Sequence, residues 1–413
     1  MKTSTRDTTS LPPGFDWLLD QNSGRHLALP SRVVDAVEDE RARQAEAEKA
    51  TQRADARAPL HPALAPARTP NKTTLVDELM ALARAARKPR HAVALFSLED
   101  LQAQVQRLGE QADREQREAH ATVLRTVAQR GPWRVVRRDS KAAQALQALD
   151  TAMPHLAAAT RQVRNRLRLA QTTGRPPRIA PMLLVGPPGV GKSHFAERLA
   201  QALGVPVHRV AMDSTQTASA LAGSESHWIN SQVGVVFKAL AQGEVANPVI
   251  LLDEIDKAQH HSGHNPLSPL HTLLEPLTAQ HFIDRCMQLP LDARHIVWIA
   301  TANDLEALDP PLRSRFAVHA IPPPDAAQGL ALAGVIARAL LQELGLKLAV
   351  PEAVLQRLAL HAPRAQRQLL EDAIAEAVAR GADSLCAADI PEAVKLLIHF
   401  QNWAIWGRVH VEI

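Results

Sequence analysis

The chain has no tyrosine, and only 3% of its 413 residues are aromatic. This scarcity points to no function. Cysteine is nearly absent as well. Cys286 and Cys386 are the whole supply, which excludes a disulfide framework and a cysteine-rich metal cluster and leaves two reduced thiols as the expectation. No run of 18 apolar residues occurs, so no helical membrane span is predicted. The opening stretch MKTSTRDTTSLPPGF lacks the apolar core of a secretory leader. Together these absences predict a soluble, cytoplasmic protein. Length and an apolar content of 46% allow two or three domains with a sizeable core.

Charge is plentiful but uneven. The net charge is +4, yet residues 1–180 carry 30 of the 47 basic residues and only 20 of the 43 acidic ones. The front is therefore basic and the remainder acidic. A basic front suits nucleic acid or an acidic partner, and equally a solvated helical surface.

Residues 1–30 are polar and broken by Pro12, Pro13 and Gly14, and read as a loose segment. Residues 31–57 are strong helix formers with few large apolar side chains, which suits a helix that bridges domains or packs on a partner. Pro59, Pro62, Pro66 and Pro70 mark a linker, and residues 72–88 a short amphipathic helix. From Ser97 to residue 129, Leu98, Leu101, Val105, Leu108 and Ala112 follow a 3-4 spacing. The spacing frays after Ala112, which leaves a coiled coil and two packed helices as alternatives, and Gly131-Pro132 ends the run. Beyond residue 140, the apolar runs Met182–Val185, Val249–Leu252 and Ile296–Ala300 alternate with helical segments, and polar loop residues follow each run. That is how buried parallel strands read. After Pro322-Pro323-Pro324 the pattern is helical to about residue 400.

Chemistry concentrates in five places. Gly186-Pro187-Pro188-Gly189-Val190-Gly191-Lys192-Ser193 matches GxxxxGK[ST] in full, after a strand and before a helix. Its glycines let backbone N–H groups turn inward around a phosphate, and the following helix adds its positive end. Lys192 is placed to hold the outer phosphates and Ser193 a Mg²⁺ ion. Next, Val249–Leu252 delivers Asp253 and Glu254, expected to act on Mg²⁺ and on the attacking water. Third, Asn303 follows Ile299-Ala300-Thr301-Ala302 and is in range of the γ-phosphate or the water, though such an asparagine also serves as a turn residue. Fourth, Arg313 and Arg315 in Pro311-Leu312-Arg313-Ser314-Arg315-Phe316 suit a reach into a neighbour's phosphate site, or a surface ion pair. Fifth, Arg364 in HAPRAQRQLLEDA is placed to sense phosphate from the helical segment.

The order GPPGVGKS, NPVILLDEIDK, HFIDRCMQLPLD, IATAND, LDPPLRSRF resembles the ATPase module of the Lon protease family over residues 131–400. The resemblance implies an AAA+ fold of α/β class: a P-loop parallel sheet with flanking helices, then an all-helical lid, with a helical N-terminal region in front. The implied segments are 1–130 for substrate or partner selection, 131–324 for nucleotide, 325–400 for the lid and 401–413 for a tail. It implies ATP and Mg²⁺ as ligands. Lys192 and Ser193 match the Walker A pair, and Asp253 and Glu254 the Walker B pair. Asn303 matches sensor 1, Arg315 the arginine finger and Arg364 sensor 2. Trp228-Ile229 falls on the pore-loop pair that grips a polypeptide, although Trp228 is also compatible with a packed core residue. The family's His-Tyr-Gly base motif is not matched, since Ala157-Ala158-Ala159 stands there and His155 is off the spacing. No Ser-Lys protease domain follows the lid within these residues. The expected function is an ATP-hydrolysing ring, a homo-oligomer of six subunits, that remodels a protein substrate or serves a separate effector. Phe400, Trp403, Ile405 and Trp406 would fold back on the lid or dock a partner. The alternatives are a nucleic-acid-associated ATPase and a nucleotide-gated scaffold with little turnover.

Overall fold

The computed structural model describes residues 15–19, 26–31, 34, 74–109, 114–138, 141–215, 217–226, 231–258 and 265–390. Trp228, Ile229 and the tail around Trp403 lie outside the described residues, as does most of the helix expected over 31–57. The chain divides into two units, Met1–Lys72 and Thr73–Ile413. In the first, strand β1 (Phe15–Leu19) pairs antiparallel with β2 (His26–Pro30), from Phe15 opposite Pro30 to Leu19 opposite His26. The expectation of a loose segment over residues 1–30 is corrected by this pair. The short apolar runs FDWLL and HLALP, separated by polar residues that include Gly24, carried the signal.

The second unit opens with helix α1 (Leu75–Ala85), whose N-cap Thr74 forms a reciprocal capping box with Asp77. Strand β3 (Ala92–Ala94) follows, then α2 (Leu98–Gly109), α3 (Arg114–Arg130) and β4 (Trp133–Val135), which pairs antiparallel with β3. Ser97 accepts the Asp100 N–H at 2.9 Å and so starts α2. Of the two alternatives for 97–129, the structure has two packed helices.

Helices α4 (Ala142–Ala152) and α5 (Ala157–Thr173) lead into β5 (Met182–Val185), α6 (Lys192–Leu203), β6 (Val207–Ala211), α7 (Val235–Ala241) and β7 (Val249–Asp253). The short hairpin β8 (Phe282–Ile283) and β9 (Pro290–Leu291) precedes β10 (Val297–Ala302) and β11 (Ala317–Ala320). Five strands form one parallel sheet in the order β11-β5-β10-β7-β6. Its centre is buried on both faces because side chains alternate between two cores. Leu183, Ile250, Leu252, Trp298 and Ala300 join the core that also contains Leu79, Leu101 and Leu124 of α1–α3. Met182, Leu184, Val249, Leu251 and Ile299 face the core built with α4, α5 and α6. A third core unites α8 (Ala326–Leu344), α9 (Glu352–Leu358) and α10 (Pro363–Ala379), the helical lid. Asp325 caps α8 through a capping box with Gln328. Among the described residues, no helix is long and apolar enough to cross a membrane.

Candidate functional site

A parallel sheet ends all its strands on one side, and loops there can converge. The register sets Ala302 beside Val185 and Ala300 beside Leu252, so the residues after β5, β7 and β10 emerge together. They open onto a cavity of about 700 Å³ whose far wall is the lid. Pro188, Gly189, Val190, Gly191, Lys192 and Ser193 form its floor, Asp253, Glu254 and Asn303 one side, and Arg364 reaches in from α10. Gly186 and Pro187 contribute the carbonyls that hold Lys192. Thus Lys192, Ser193, Asp253, Glu254, Asn303 and Arg364, separated by up to 172 positions, surround one space. Arg315 is not among the lining residues. It is half-buried, bonded to the Pro311 carbonyl, and its Nε has no partner among the described residues. Arg313 is held by Glu306 at 3.0 Å.

The phosphate loop adopts a conformation that its sequence permits. Gly191 has φ +91° and an added Cβ would lie 2.9 Å from Met153 Cε, so no other residue suits this position without displacement. Immediately afterwards α6 begins, with its unpaired N–H groups and positive dipole end directed at the cavity. Lys192 Nζ is buried and donates to Gly186 O at 2.7 Å, Pro187 O at 2.9 Å and Asn303 Oδ1 at 2.9 Å. Burial lowers its pKa, opposed by the nearby Asp256, Asp253 and Glu254.

Asp253 ends β7 with both carboxylate oxygens engaged. Oδ1 accepts from Ser193 Oγ and Thr301 Oγ1, each at 2.6 Å, and Oδ2 pairs with Arg209 from β6. Burial alone would raise its pKa. The hydroxyl donors and the Arg209 charge outweigh burial and hold the carboxyl below its ordinary range. Glu254 then leaves the strand in the left-handed region, with φ +55°, while its N–H donates to Thr301 Oγ1 at 2.9 Å. A non-glycine residue there is uncommon and costs energy. The turn lets Glu254 join Asp253 on one cavity instead of alternating to the opposite face. Asp256 fixes the neighbouring loop by accepting the N–H groups of Asn303 and Asp304 at 3.0 and 3.2 Å.

Four contributors escaped the sequence reading. Arg209 and Thr301 act on Asp253. Arg367, one turn beyond Arg364, also lines the cavity. His155 donates from Nε2 to Val190 O at 2.9 Å, tying the turn before α5 to the phosphate loop. Burial lowers the His155 pKa, against the opposing effect of the Val190 hydrogen bond. Beside it, Ala152 and Met153 face Leu332, Val335, Ile336 and Ala339 of α8 across an apolar chamber. The oxygen set of Ser193 and Asp253 suits a hard divalent cation such as Mg²⁺, and the glycine loop with buried Lys192 suits a polyphosphate.

Residues 182–323 match the family described as "ATPase family associated with various cellular activities (AAA)". Among curated proteins, Lon protease 4 of Sorangium cellulosum is 32% identical over 158 residues, which cover 38% of this chain and 20% of that protein. The peroxisomal Lon protease homolog 2 of Caenorhabditis elegans is 34% identical over 137 residues, covering 33% and 18%. The match thus spans about a fifth of those relatives' length. Among solved structures, the RuvB Holliday junction branch migration motor of Thermotoga maritima aligns with a TM-score of 0.40 at 16% identity, over 60% of this chain and 66% of that one.

Proposed function

With residues 182–323 an AAA-family ATPase module similar to that of the Lon proteases, we propose that the chain is an ATP-dependent protein-remodelling motor of the Lon-like kind. One observation carries the reading: Lys192, Ser193, Asp253, Glu254 and Asn303 converge on a single cavity closed by the helical lid. In this reading Lys192 and the loop N–H groups bind the outer phosphates, and the apolar chamber takes the base. Ser193 and Asp253 would hold Mg²⁺, which neutralises charge on the β- and γ-phosphates when bound. Glu254 orients the attacking water and accepts its proton, Asn303 positions that water, and Arg364 closes the lid onto the phosphates. Arg315, away from its own cavity, serves that of a neighbouring subunit in a homo-oligomeric ring of six. Residues 1–130 select substrate or partner, 131–324 bind nucleotide, 325–400 form the lid and 401–413 a tail, and Trp228-Ile229 grips the substrate polypeptide. The working compartment is the cytoplasm.

The test compares two variants. Lys192→Ala should lose binding of a fluorescent ATP analogue. Glu254→Gln should bind it, fail to hydrolyse ATP and retain protein substrates in a pull-down. Near-normal turnover in Glu254→Gln would sink the assignment.

A second reading has its own observation. Arg161, Arg166, Arg168, Arg175 and Arg178 are exposed on and after α5, with no carboxylate partner among the described residues. Such a face suits a nucleic-acid backbone. DNA binding that falls steeply with salt, and is lost on charge reversal of Arg161 and Arg168, would favour it.

A further inference from the structure

The segment between β6 and α7 carries the proposed substrate-gripping pair Trp228-Ile229, and its two shoulders are held by residues remote in sequence. The shoulders meet at a closed neck. Ser224 N donates to Gln232 O at 3.0 Å, and Gln232 N donates to Ser224 Oγ at 2.7 Å. Gly223 and Gly234 pack backbone to backbone beneath them: a Cβ on Gly234 would lie 2.5 Å from Gly223 N.

Two elements grip this neck from outside the segment. The first is the turn of the β8–β9 hairpin. Asp284 is fully buried, and its Oδ2 accepts the Gly234 N–H at 2.8 Å while Oδ1 accepts those of Cys286 and Met287 at 3.0 and 3.1 Å. The carboxylate also presses on Gly223, which has φ +79°; a Cβ there would lie 2.6 Å from Asp284 Oδ1. Arg285 adds its N–H to Ala222 O at 2.7 Å and its guanidinium to Glu225 at 3.2 Å. The second element is α3, from the helices preceding the nucleotide-binding sheet. Gln116 Nε2 donates to Ser226 O on one shoulder and lies 3.3 Å from Ser231 Oγ on the other. One helical turn later, buried His120 places Nε2 3.1 Å from Ser231 Oγ and 3.5 Å from Cys286 Sγ, linking α3 to the hairpin turn. Beyond the segment, the buried Arg134 of β4 caps α7 through Leu240 O at 2.9 Å and Ala241 O at 2.6 Å.

A single-purpose core contact would not bond the same glutamine to both sides of one loop. We propose that α3 and the hairpin turn jointly set the position of the substrate loop, with Gln116, His120 and Asp284 as positioning residues, so that the helices before the sheet have a direct hold on the part that grips polypeptide. This rests on the reading of Trp228-Ile229 as the gripping pair. Movement of α3 on partner binding would then change substrate engagement without touching the nucleotide cavity.

The test uses the purified full chain and α-casein as substrate probe. Gln116→Glu keeps size but removes the amide donor, and a Gln116→Glu/His120→Ala double variant also removes the His120 contact to Ser231. Hydrogen exchange across 224–234 should rise about tenfold or more in the double variant, as expected for losing at least two hydrogen bonds of ordinary strength. Exchange within α3 and basal ATP hydrolysis should stay unchanged. The casein concentration giving half-maximal ATPase stimulation should rise several-fold, with the maximal rate less affected. Wild-type exchange over 224–234 in the double variant overturns the clamp. So does raised exchange with unaltered casein response. Trp228→Ala separates the two layers. If it abolishes casein stimulation while Gln116→Glu and the double variant leave loop exchange at the wild-type level, the clamp fails and the gripping role stands. Full stimulation in Trp228→Ala, or no stimulation of the wild type, overturns the gripping role and the proposal with it.

Discussion

Both oxygens of Asp253 have protein partners, and on the proposed Mg²⁺ role of Asp253, Arg209 is the partner that would yield. In the proposed Mg²⁺ site Ser193 would be a fellow ligand, whereas Arg209 would compete for Asp253 with a full positive charge. Its side chain is 58% exposed, so it can swing into solvent. Arg209→Gln should therefore lower the Mg²⁺ concentration needed for tight nucleotide binding, measured by titrating a fluorescent ATP analogue against Mg²⁺. An unchanged or higher requirement would show that Arg209 assists the cation instead. Asp284 gives a second prediction at this scale. Burial pushes its carboxyl up to about 6, opposed by the N–H donors of Gly234, Met287 and Cys286. The folded state then holds the Asp284 proton more tightly than the unfolded chain. Its contribution to stability is present below about pH 4 and is lost as pH rises through about 6. Asp284→Asn lacks this titration. The stability difference, wild type minus Asn, should fall between pH 4 and 6.5 in urea melts, and a flat difference would refute the shift.

At the scale of elements, α7 ends without a glycine cap, and Arg134 supplies what the helix lacks. Its guanidinium donates to Leu240 O and Ala241 O, and within its own loop to Gly131 O and Trp133 O. Burial and the nearby Arg130 charge lower its pKa to about 10, which leaves it cationic at neutral pH. Arg134→Met fills much of the space but leaves these carbonyls without donors. Each buried acceptor so orphaned costs about 1–3 kcal/mol, so the variant should lose at least ~2 kcal/mol in denaturant melts. Arg134→Lys should recover only part of this, because one ammonium cannot span four acceptors spread over two elements.

For the whole molecule, the position of Arg315 is the informative feature. Lys192, Ser193, Asp253, Glu254, Asn303 and Arg364 share the cavity, and Arg315 does not. A finger acting between subunits predicts complementation. Arg315→Ala should cut turnover by about 10³–10⁵-fold, as fingers do in other P-loop enzymes. Lys192→Ala subunits cannot bind nucleotide but present an intact Arg315, so mixtures of the two variants should regain activity. No recovery at any ratio, with both variants assembled, would argue that Arg315 does not act across an interface.

The sequence alone determined whatever depends on neighbours along the chain. The phosphate loop, the strands that deliver Asp253 and Asn303, the Gly131-Pro132 break and the helical lid were all legible, because glycine geometry, apolar runs and helix spacing act over a few residues. The N-terminal hairpin was missed because the breakers Pro12, Pro13 and Gly14 and the polar stretch between its two apolar runs outweighed those runs. Tertiary structure decided the rest. Arg209 meets Asp253 only because β6 and β7 pair in a register that sets Ala211 beside Asp253. Arg134 reaches carbonyls 106 and 107 positions away, and Gln116 those of a loop 110 positions away. Such pairings depend on which elements pack together, and an isolated arginine or glutamine in a sequence carries no trace of its partner. The left-handed turn at Glu254 belongs to the same class. Nothing in Asp253-Glu254-Ile255 announces it, since the bond from Glu254 N–H to Thr301 of the adjacent strand is what holds it.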